Sequence, residues 1–264
     1  MDLIDIGANL ISKQFRSDLP DVLARAAGAG VTQMIVTGTH LDVTRGAIEL
    51  CQSHQHLRAT AGVHPHHADD LGPQQLAELE SLAAAAQVVA LGECGLDYNR
   101  NFSTPENQRR AFSDQLALAA KLDLPLFLHE RDAHDDFVSL LRDAWPDLRR
   151  GAVVHCFTGG PAQAEAYLDL GAHLGVTGWV CDERRGGDLR TAVPLIPADR
   201  LLIETDAPYL LPRTIRPKPA SRRCEPMHLV HVAAEVAALR KTSAEDIAAL
   251  TSANARAFFG LEGS

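Results

Sequence analysis

Residues 88–98, VVALGECGLDY, join a short apolar run to a Gly-rich segment that ends in an acidic and an aromatic residue. The same alternation recurs along the chain: an apolar run ends in a polar residue, a loop follows, and a segment with helical spacing comes next. The apolar runs are 3–6, 31–36, 57–63, 88–91, 125–128, 151–154, 173–176 and 201–203. Strands that alternate with helices are typical of βαβ units, so the pattern predicts a parallel sheet.

The predicted helices lie between and after these runs, at about residues 19–29, 41–54, 73–86, 104–121, 134–144, 161–170, 186–193, 226–239 and 243–259. Eight strand–helix units in about 250 residues are the size of a (β/α)8 barrel. The alternative, a doubly wound open sheet, usually carries a Gly-rich nucleotide-binding turn after its first strand, and residues 7–10, GANL, are not such a turn. We therefore predict an α/β fold, a (β/α)8 TIM barrel, as a single domain over residues 1–264 with its core at about 2–260.

The composition excludes several classes of protein. Hydrophobic residues make up 46% and charged residues 22% of the 264 residues, as in an ordinary folded domain. No apolar run approaches the roughly 20 residues of a membrane span, so we expect no membrane contact. The acidic start of the chain, MDLID, predicts that there is no signal peptide. Five cysteines without a C-x-x-C pair are typical of a reducing compartment, which predicts a cytoplasmic protein.

The net charge of −9 argues against binding of nucleic acid over a broad surface. One segment departs from this balance, because it holds five basic side chains and no acidic one. These side chains are Arg213, Arg216, Lys218, Arg222 and Arg223. The segment follows the eighth apolar run closely. Two interpretations of its charge stay open: a solvated loop, or a local site for an anion.

Metal-binding side chains stand at the carboxyl ends of five of the predicted strands. They are His64, His66, Glu93, Asp97, His129, His155, Glu204 and Asp206. In a (β/α)8 barrel these ends form one ring, which would bring the side chains together. Imidazole nitrogen and carboxylate oxygen are ligands of Zn²⁺ and Mn²⁺, and of Mg²⁺ where carboxylates dominate. A bound divalent ion activates water at neutral pH, so the pattern predicts metal-assisted hydrolysis.

Four motifs resemble the signatures of the TatD-type metal-dependent deoxyribonucleases, a family of the amidohydrolase-like superfamily. They are GECGLD at 92–97, HER at 129–131, HCFTG at 155–159 and ETDAPYL at 204–210. The resemblance extends from residue 5 to about 259, and residues 99–105 and 178–186 are similar to the TatD branch itself. It implies a (β/α)8 barrel and a cytoplasmic monomer. It also implies hydrolysis of phosphodiester bonds with a divalent metal, as a 3′→5′ exonuclease on single-stranded DNA and on RNA.

The resemblance also assigns roles to individual residues. Glu93 would be a catalytic carboxylate and, with His129 and His155, would hold one metal. Asp206 would be a further metal ligand and the catalytic carboxylate that orients the attacking water. Gly7 and Asn9 stand where most of the wider family has two histidines on the first strand. We therefore expect one tight divalent site, with Mg²⁺ the ion in use and Mn²⁺ or Zn²⁺ the alternatives, and a second site that is weak or absent. A smaller departure, Cys224 before Glu-Pro, would alter only a loop contact.

The predicted partner is a single strand of nucleic acid. The residues predicted to bind it are His64, His66, Tyr98, Arg131, Arg222 and Arg223. Tyr98, Phe102 and Tyr209 are predicted to stack on bases, which gives a grip that tolerates any sequence. Two other functions stay open: an amidohydrolase that acts on a C–N bond of a small molecule, and a catalytically weak barrel that binds nucleic acid.

Overall fold

The computed structural model describes residues 1–261, in which eight parallel strands form one sheet in chain order. The strands are β1 (Leu3–Ala8), β2 (Val31–Val36), β3 (Leu57–Ala61), β4 (Val88–Asp97), β5 (Leu126–Arg131), β6 (Ala152–Val154), β7 (His173–Val176) and β8 (Leu201–Ile203). A helix follows each strand before the next one begins. This is the topology of a (β/α)8 barrel, so the predicted fold class is confirmed.

The helices also lie close to their predicted positions. They are α1 (Leu19–Gly28), α2 (Leu41–Ser53), α3 (Pro73–Ala83), α4 (Pro105–Leu122), α5 (His134–Ala144), α6 (Pro161–Asp169), α7 (Gly187–Ala192), α8 (Leu229–Arg240) and α9 (Ala244–Phe259). The Thr104 hydroxyl caps α4, because it accepts the backbone N–H of Asn107 at 3.3 Å. None of the helices within residues 1–261 combines the length and apolar character needed to cross a bilayer.

By their internal packing, the described residues divide into two compact units. The first unit comprises residues 1–36, 156–168 and the described chain from 173 onward, and it contains β1, β2, β7 and β8. The second unit comprises residues 37–155 and 169–172, and it contains β3 to β6. The boundaries predicted for a single domain stay a prediction.

The strands were recognisable in the sequence because both of their faces are covered. All six residues of β1 are buried, as are Leu126, Phe127 and Leu128 in β5. A parallel strand covered on both faces shows a continuous apolar run instead of an apolar–polar alternation. Such a run therefore predicts a strand by itself, and the sequences of the adjacent strands are not needed.

Three strands, β1, β4 and β5, are longer than the sequence predicted. β4 continues to Asp97 and β5 to Arg131, because the ladder between them extends through the pairs Gly95↔His129 and Asp97↔Arg131. Glycine and charged residues have low strand propensity, so the sequence pattern predicts an earlier end. Pairing with the neighbouring strand overrides that local preference here.

The core of the second unit can be tested at Phe112 of α4. This side chain is fully buried, and its ring stacks on Phe137 at 5.1 Å between centroids. Phe112→Ala is expected to lower the free energy of unfolding by about 3–5 kcal/mol, because it removes a buried ring and leaves a cavity. Urea denaturation followed by circular dichroism measures this loss. Phe102 is 66% exposed and offers the matched control. Phe102→Ala should cost less than about 0.5 kcal/mol, and equal losses would contradict the burial of Phe112.

Candidate metal centre

Glu93 lies in β4 at a place where the neighbouring strand comes very close. Gly92 and Gly95 have φ angles of +139° and +144°, which residues with a side chain rarely adopt. A Cβ atom at Gly92 would lie 2.0 Å from the carbonyl oxygen of Phe127, and one at Gly95 would lie 1.9 Å from that of His129. The two glycines thus let β5 pack directly against β4, which brings His129 to the Glu93 carboxylate.

Three histidine rings surround one oxygen of the Glu93 carboxylate. Its Oε1 atom lies 2.8 Å from Nε2 of His155, 3.0 Å from Nδ1 of His129 and 3.4 Å from Nε2 of His64. His129 belongs to β5, His155 follows β6, and His64 precedes a short 3₁₀ segment after β3. All four residues belong to the second unit. The structure therefore brings together three of the four predicted metal ligands, Glu93, His129 and His155.

The protonation states provide an ionised carboxylate with a neutral imidazole beside it. Burial alone would raise the pKa of Glu93, but the interactions with His155, His64 and His129 hold this pKa well below its usual value. Burial lowers the pKa of His64 to about 4, so its ring is neutral at pH 7. Burial also opposes protonation of His129, but the carboxylates of Asp97 and Glu93 outweigh it, and the pKa of His129 is raised. An ionised carboxylate and a neutral imidazole are the forms that bind a divalent ion.

Asp97, at the end of β4, supports these histidines. Its Oδ2 atom lies 2.8 Å from Nε2 of His66 and 3.5 Å from Nε2 of His129. Its Oδ1 atom accepts the backbone N–H groups of Asn99 at 3.0 Å and Arg100 at 2.8 Å. Burial would raise the pKa of Asp97, but His129, the N–H of Arg100 and His66 outweigh burial and hold this pKa far below its usual value. The sequence placed Asp97 at a strand end, but its role in orienting His66 and His129 was not predicted.

The donor set fits a divalent ion. One donor atom each from His64, Glu93 and His129 lies within 4.8 Å of the other two. The Nε2 atom of His129 is buried, and within residues 1–261 it makes no hydrogen bond that satisfies the usual limits of distance and angle. Imidazole and carboxylate donors together are typical of zinc and manganese sites, and His155 adds a third ring at the same carboxylate oxygen. The sequence predicted that His64 binds substrate, whereas its place among these donors makes it a candidate ligand.

Asp206 follows β8 in the first unit, and the end of β1 holds it in place. Its φ angle of +53° is left-handed, a conformation that aspartate tolerates better than most residues. Its backbone N–H donates to the carbonyl oxygen of Gly7 at 2.9 Å. Its carboxylate Oδ1 accepts a hydrogen bond of 2.9 Å from Nδ2 of Asn9. Asn9, which stands at the position of a family histidine, therefore acts as a donor that orients Asp206. The catalytic and metal-binding roles of Asp206 stay predictions.

Two further carboxylates in the first unit support the strand ends, and one of them, Glu204, is among the side chains that the sequence predicts in the metal-binding ring. Asp5 is fully buried and accepts the backbone N–H of Thr205 at 2.9 Å and its hydroxyl at 2.5 Å. Burial raises the pKa of Asp5 to about 7 despite these hydrogen bonds. Glu204 is also fully buried and accepts the N–H of Cys156 at 2.5 Å. For Asp5, its place inside the apolar run 3–6 was the signal in the sequence for such a supporting role, whereas Glu204 follows its run and carries no such signal.

Three further residues predicted to bind substrate, His66, Tyr98 and Arg131, also belong to the second unit. The His66 ring packs edge-on against Phe102, with centroids 4.8 Å apart. The Tyr98 hydroxyl donates to Asp136 at 2.7 Å, so this polar group is engaged within the protein. Arg131 ends β5, and its side chain is 40% exposed. Their contact with substrate stays a prediction, and Phe102 is the most exposed ring of this group.

The structure separates the two predicted arginines of the basic segment. Arg223 donates hydrogen bonds of 2.7 and 2.9 Å to Asp18 and of 2.7 Å to Glu225, and its side chain is only 21% exposed. These contacts attach the basic segment to the residue before α1, and the two carboxylates neutralise the charge of Arg223. Arg222 instead lines a cavity, together with Arg213. Sequence reasoning treated the pair alike, because the Asp18 that binds Arg223 lies 205 residues away along the chain.

Comparison with known proteins identifies the family. The family model described as TatD related DNase matches residues 4–260. The 3′-5′ ssDNA/RNA exonuclease TatD of Erwinia amylovora is 53% identical over 260 residues, which are 98% of this chain and 100% of that protein. The protein of the same name from Salmonella typhimurium is 52% identical over 257 residues, 97% of this chain and 98% of that protein. The crystal structure of YJJV, a TatD homologue from Escherichia coli K12, is 32% identical and has a TM-score of 0.90 over 98% of both chains. Because the family model covers residues 4–260 and the relatives match over nearly the whole length, the chain belongs to the family of TatD related DNases.

Proposed function

We propose that this protein is a metal-dependent 3′→5′ exonuclease that hydrolyses phosphodiester bonds of single-stranded DNA and RNA. The observation that carries the proposal is the ring of three histidines at 2.8–3.4 Å from one oxygen of Glu93. Such a cluster at the carboxyl ends of barrel strands is typical of hydrolases that use a divalent ion. The two relatives named 3′-5′ ssDNA/RNA exonucleases support single-stranded DNA and RNA as the proposed substrates.

In this proposal the second unit provides the metal ligands. Glu93, His129 and His64 would hold the ion, with His155 against the same carboxylate oxygen. When bound, the ion supplies Lewis acidity toward a phosphate oxygen and lowers the pKa of a water molecule. Asp97 stands behind His129 and His66 and fixes the orientation of their rings, as carboxylates commonly do behind ligating histidines.

Asp206 is the proposed acceptor of the proton that the attacking water loses. The hydrogen bond of 2.9 Å from Asn9 fixes the plane of its carboxylate. A general base is effective only when it is held within reach of the proton, and this bond supplies that constraint. Asp5 contributes indirectly, because it fixes Thr205 immediately before Asp206.

The proposed contacts with the strand are aromatic and cationic. Phe102 and Tyr209 are 66% and 54% exposed, and exposed rings of this kind stack on bases of any identity. Arg131 and Arg222 would contact phosphates, whose charge is independent of sequence. These contacts suit an enzyme that degrades a strand without regard to its sequence.

Mg²⁺ is the proposed ion in use, with Mn²⁺ and Zn²⁺ as alternatives, and one site is tight. The second site is proposed to be weak, because Gly7 offers no side chain and the Asn9 amide already donates to Asp206. No disulfide joins any of the five cysteines, all of which lie within residues 1–261, and this supports a reducing compartment such as the cytoplasm. The protein is proposed to act as a monomer, which light scattering would measure.

An assay of strand polarity tests the function. A single strand labelled at its 5′ end should give a ladder that shortens one nucleotide at a time in the presence of Mg²⁺ or Mn²⁺. The same strand labelled at its 3′ end should release a labelled mononucleotide at once. Chelation with EDTA should stop both reactions. Internal fragments, or hydrolysis of a small cyclic amide in place of DNA, would overturn the proposal and favour the amidohydrolase alternative.

A further inference from the structure

The basic segment after β8 borders a cavity of about 640 Å³ in the first unit. Its lining includes five cationic side chains: Arg185, Arg213, Arg216, Lys218 and Arg222. Only Arg222 among them was predicted to bind substrate, and Arg185 comes from a different part of the chain. In a protein with a net charge of −9, this concave cluster is a local exception that favours an anion.

A single buried carboxylate organises two of these cations. Asp182 is 3% exposed, and its Oδ2 atom lies 2.8 Å from Nε of Arg185 and 3.1 Å from Nε of Arg213. Its Oδ1 atom accepts the backbone N–H of Arg184 at 3.1 Å, which fixes the carboxylate itself. Each arginine contacts Asp182 through its Nε atom. The two Nη groups at the end of the guanidinium group can therefore bind a second anion. In residues 1–261 no other carboxylate pairs with Arg185 or Arg213.

Arg185 is held from a second direction as well. Its guanidinium carbon lies over the ring of Trp179, 4.5 Å from the centroid. A guanidinium that stacks on one face and is bonded at one edge has a fixed plane. A group fixed in this way loses little conformational entropy when it binds a phosphate, so it binds more tightly than a mobile side chain would.

We infer that this cavity binds a phosphate of the nucleic-acid strand away from the cleaved bond, and that Asp182 is the positioning residue that aims Arg185 and Arg213 at it. The inference rests on the proposed exonuclease function for the identity of the ligand. Leu210, which lines the cavity, stands four residues after Asp206, so chain length keeps this part of the lining within about 14 Å of Asp206. The same strand can therefore reach both places.

The test separates positioning from simple charge. Asp182→Asn and Glu183→Gln each remove one negative charge at adjacent positions of the chain, and Glu183 is exposed. Coulomb attraction alone predicts that both changes tighten the binding of a strand. Positioning predicts that Asp182→Asn weakens binding about tenfold, since the fixed charge-assisted contacts are lost. Glu183→Gln should then leave binding unchanged or slightly tighter. The probe is a fluorescein-labelled oligothymidylate of about 12 nucleotides, and its anisotropy is measured in EDTA so that no hydrolysis occurs.

One more measurement keeps the inference falsifiable if Asp182→Asn does not fold, which circular dichroism reports. Arg185→Ala and Arg213→Ala should each reduce the slope of log K against log salt concentration by about 0.7. In turnover assays, Asp182→Asn should raise KM for the long strand about tenfold at an unchanged kcat, because the cavity acts on capture.

The inference is overturned if Asp182→Asn binds the strand as tightly as Glu183→Gln does. Unchanged salt slopes in the two arginine variants would overturn it as well. A different result would be a wild-type protein that binds the strand in EDTA and yet does not hydrolyse it once Mg²⁺ or Mn²⁺ is supplied. That result would overturn the exonuclease proposal but would not contradict the phosphate site in the cavity. The two failures are therefore distinguishable.

Discussion

His155→Ala is expected to lower kcat for single-stranded DNA about 1000-fold, a loss typical of a single catalytic group. The His155 ring is 4% exposed, and its Nε2 atom lies 2.8 Å from Oε1 of Glu93. Alanine removes this buried partner and leaves the carboxylate with one fewer compensating group. The rate of shortening of a 5′-labelled strand at saturating substrate and Mn²⁺ measures the effect.

His173→Ala is the matched control for this prediction. His173 begins β7 and lies at its amino end, whereas His155 directly follows the carboxyl end of β6. Both rings pack on a phenylalanine, His155 on Phe127 at 4.5 Å and His173 on Phe258 at 4.7 Å. The two variants thus lose a similar packing contact, and only His155→Ala should lose activity. Equal losses at both positions would contradict a reaction at the carboxyl ends of the strands.

The second large effect concerns the binding of the ion. Titration of the metal-free protein with Mn²⁺ should show one tight ion per chain. Glu93→Gln should weaken that ion at least about 100-fold, because it removes the anionic oxygen around which the three histidines are arranged. Isothermal titration calorimetry measures both affinities, and urea denaturation confirms that the variant is folded.

Asp206→Asn is the comparison for Glu93→Gln, because it makes the same change from carboxylate to amide. The hydrogen bond from Asn9 can persist, since the amide keeps an acceptor oxygen. This variant should keep the tight ion but lose hydrolysis about 1000-fold, as expected for a general base. Two equally tight ions in the wild-type protein would refute the weak second site inferred from Gly7 and Asn9. If Asp206→Asn lost the tight ion, Asp206 would be a ligand of the tight site.

The fold and the centre of the site could be predicted from local patterns. Apolar runs marked the strands because a parallel strand covered on both faces is apolar throughout. The residue after each run was informative because parallel strands of a barrel present their carboxyl ends on one side. Glu93, His129 and His155 became candidate ligands in this way, and the structure places them together, while their metal-binding role stays a prediction. These features depend on short-range periodicity, which a sequence shows directly.

Other features were decided by the tertiary structure alone. Nothing local distinguishes Arg222 from Arg223, yet one lines a cavity and the other pairs with the distant Asp18. Asp182 meets Arg213, and Asn9 meets Asp206, only after the chain has folded. Periodicity tells which face of an element is buried, but it does not tell which distant carboxylate will meet which cation. Those pairings depend on the register of strands and loops far apart in sequence, and they determine which charges stay available for a ligand.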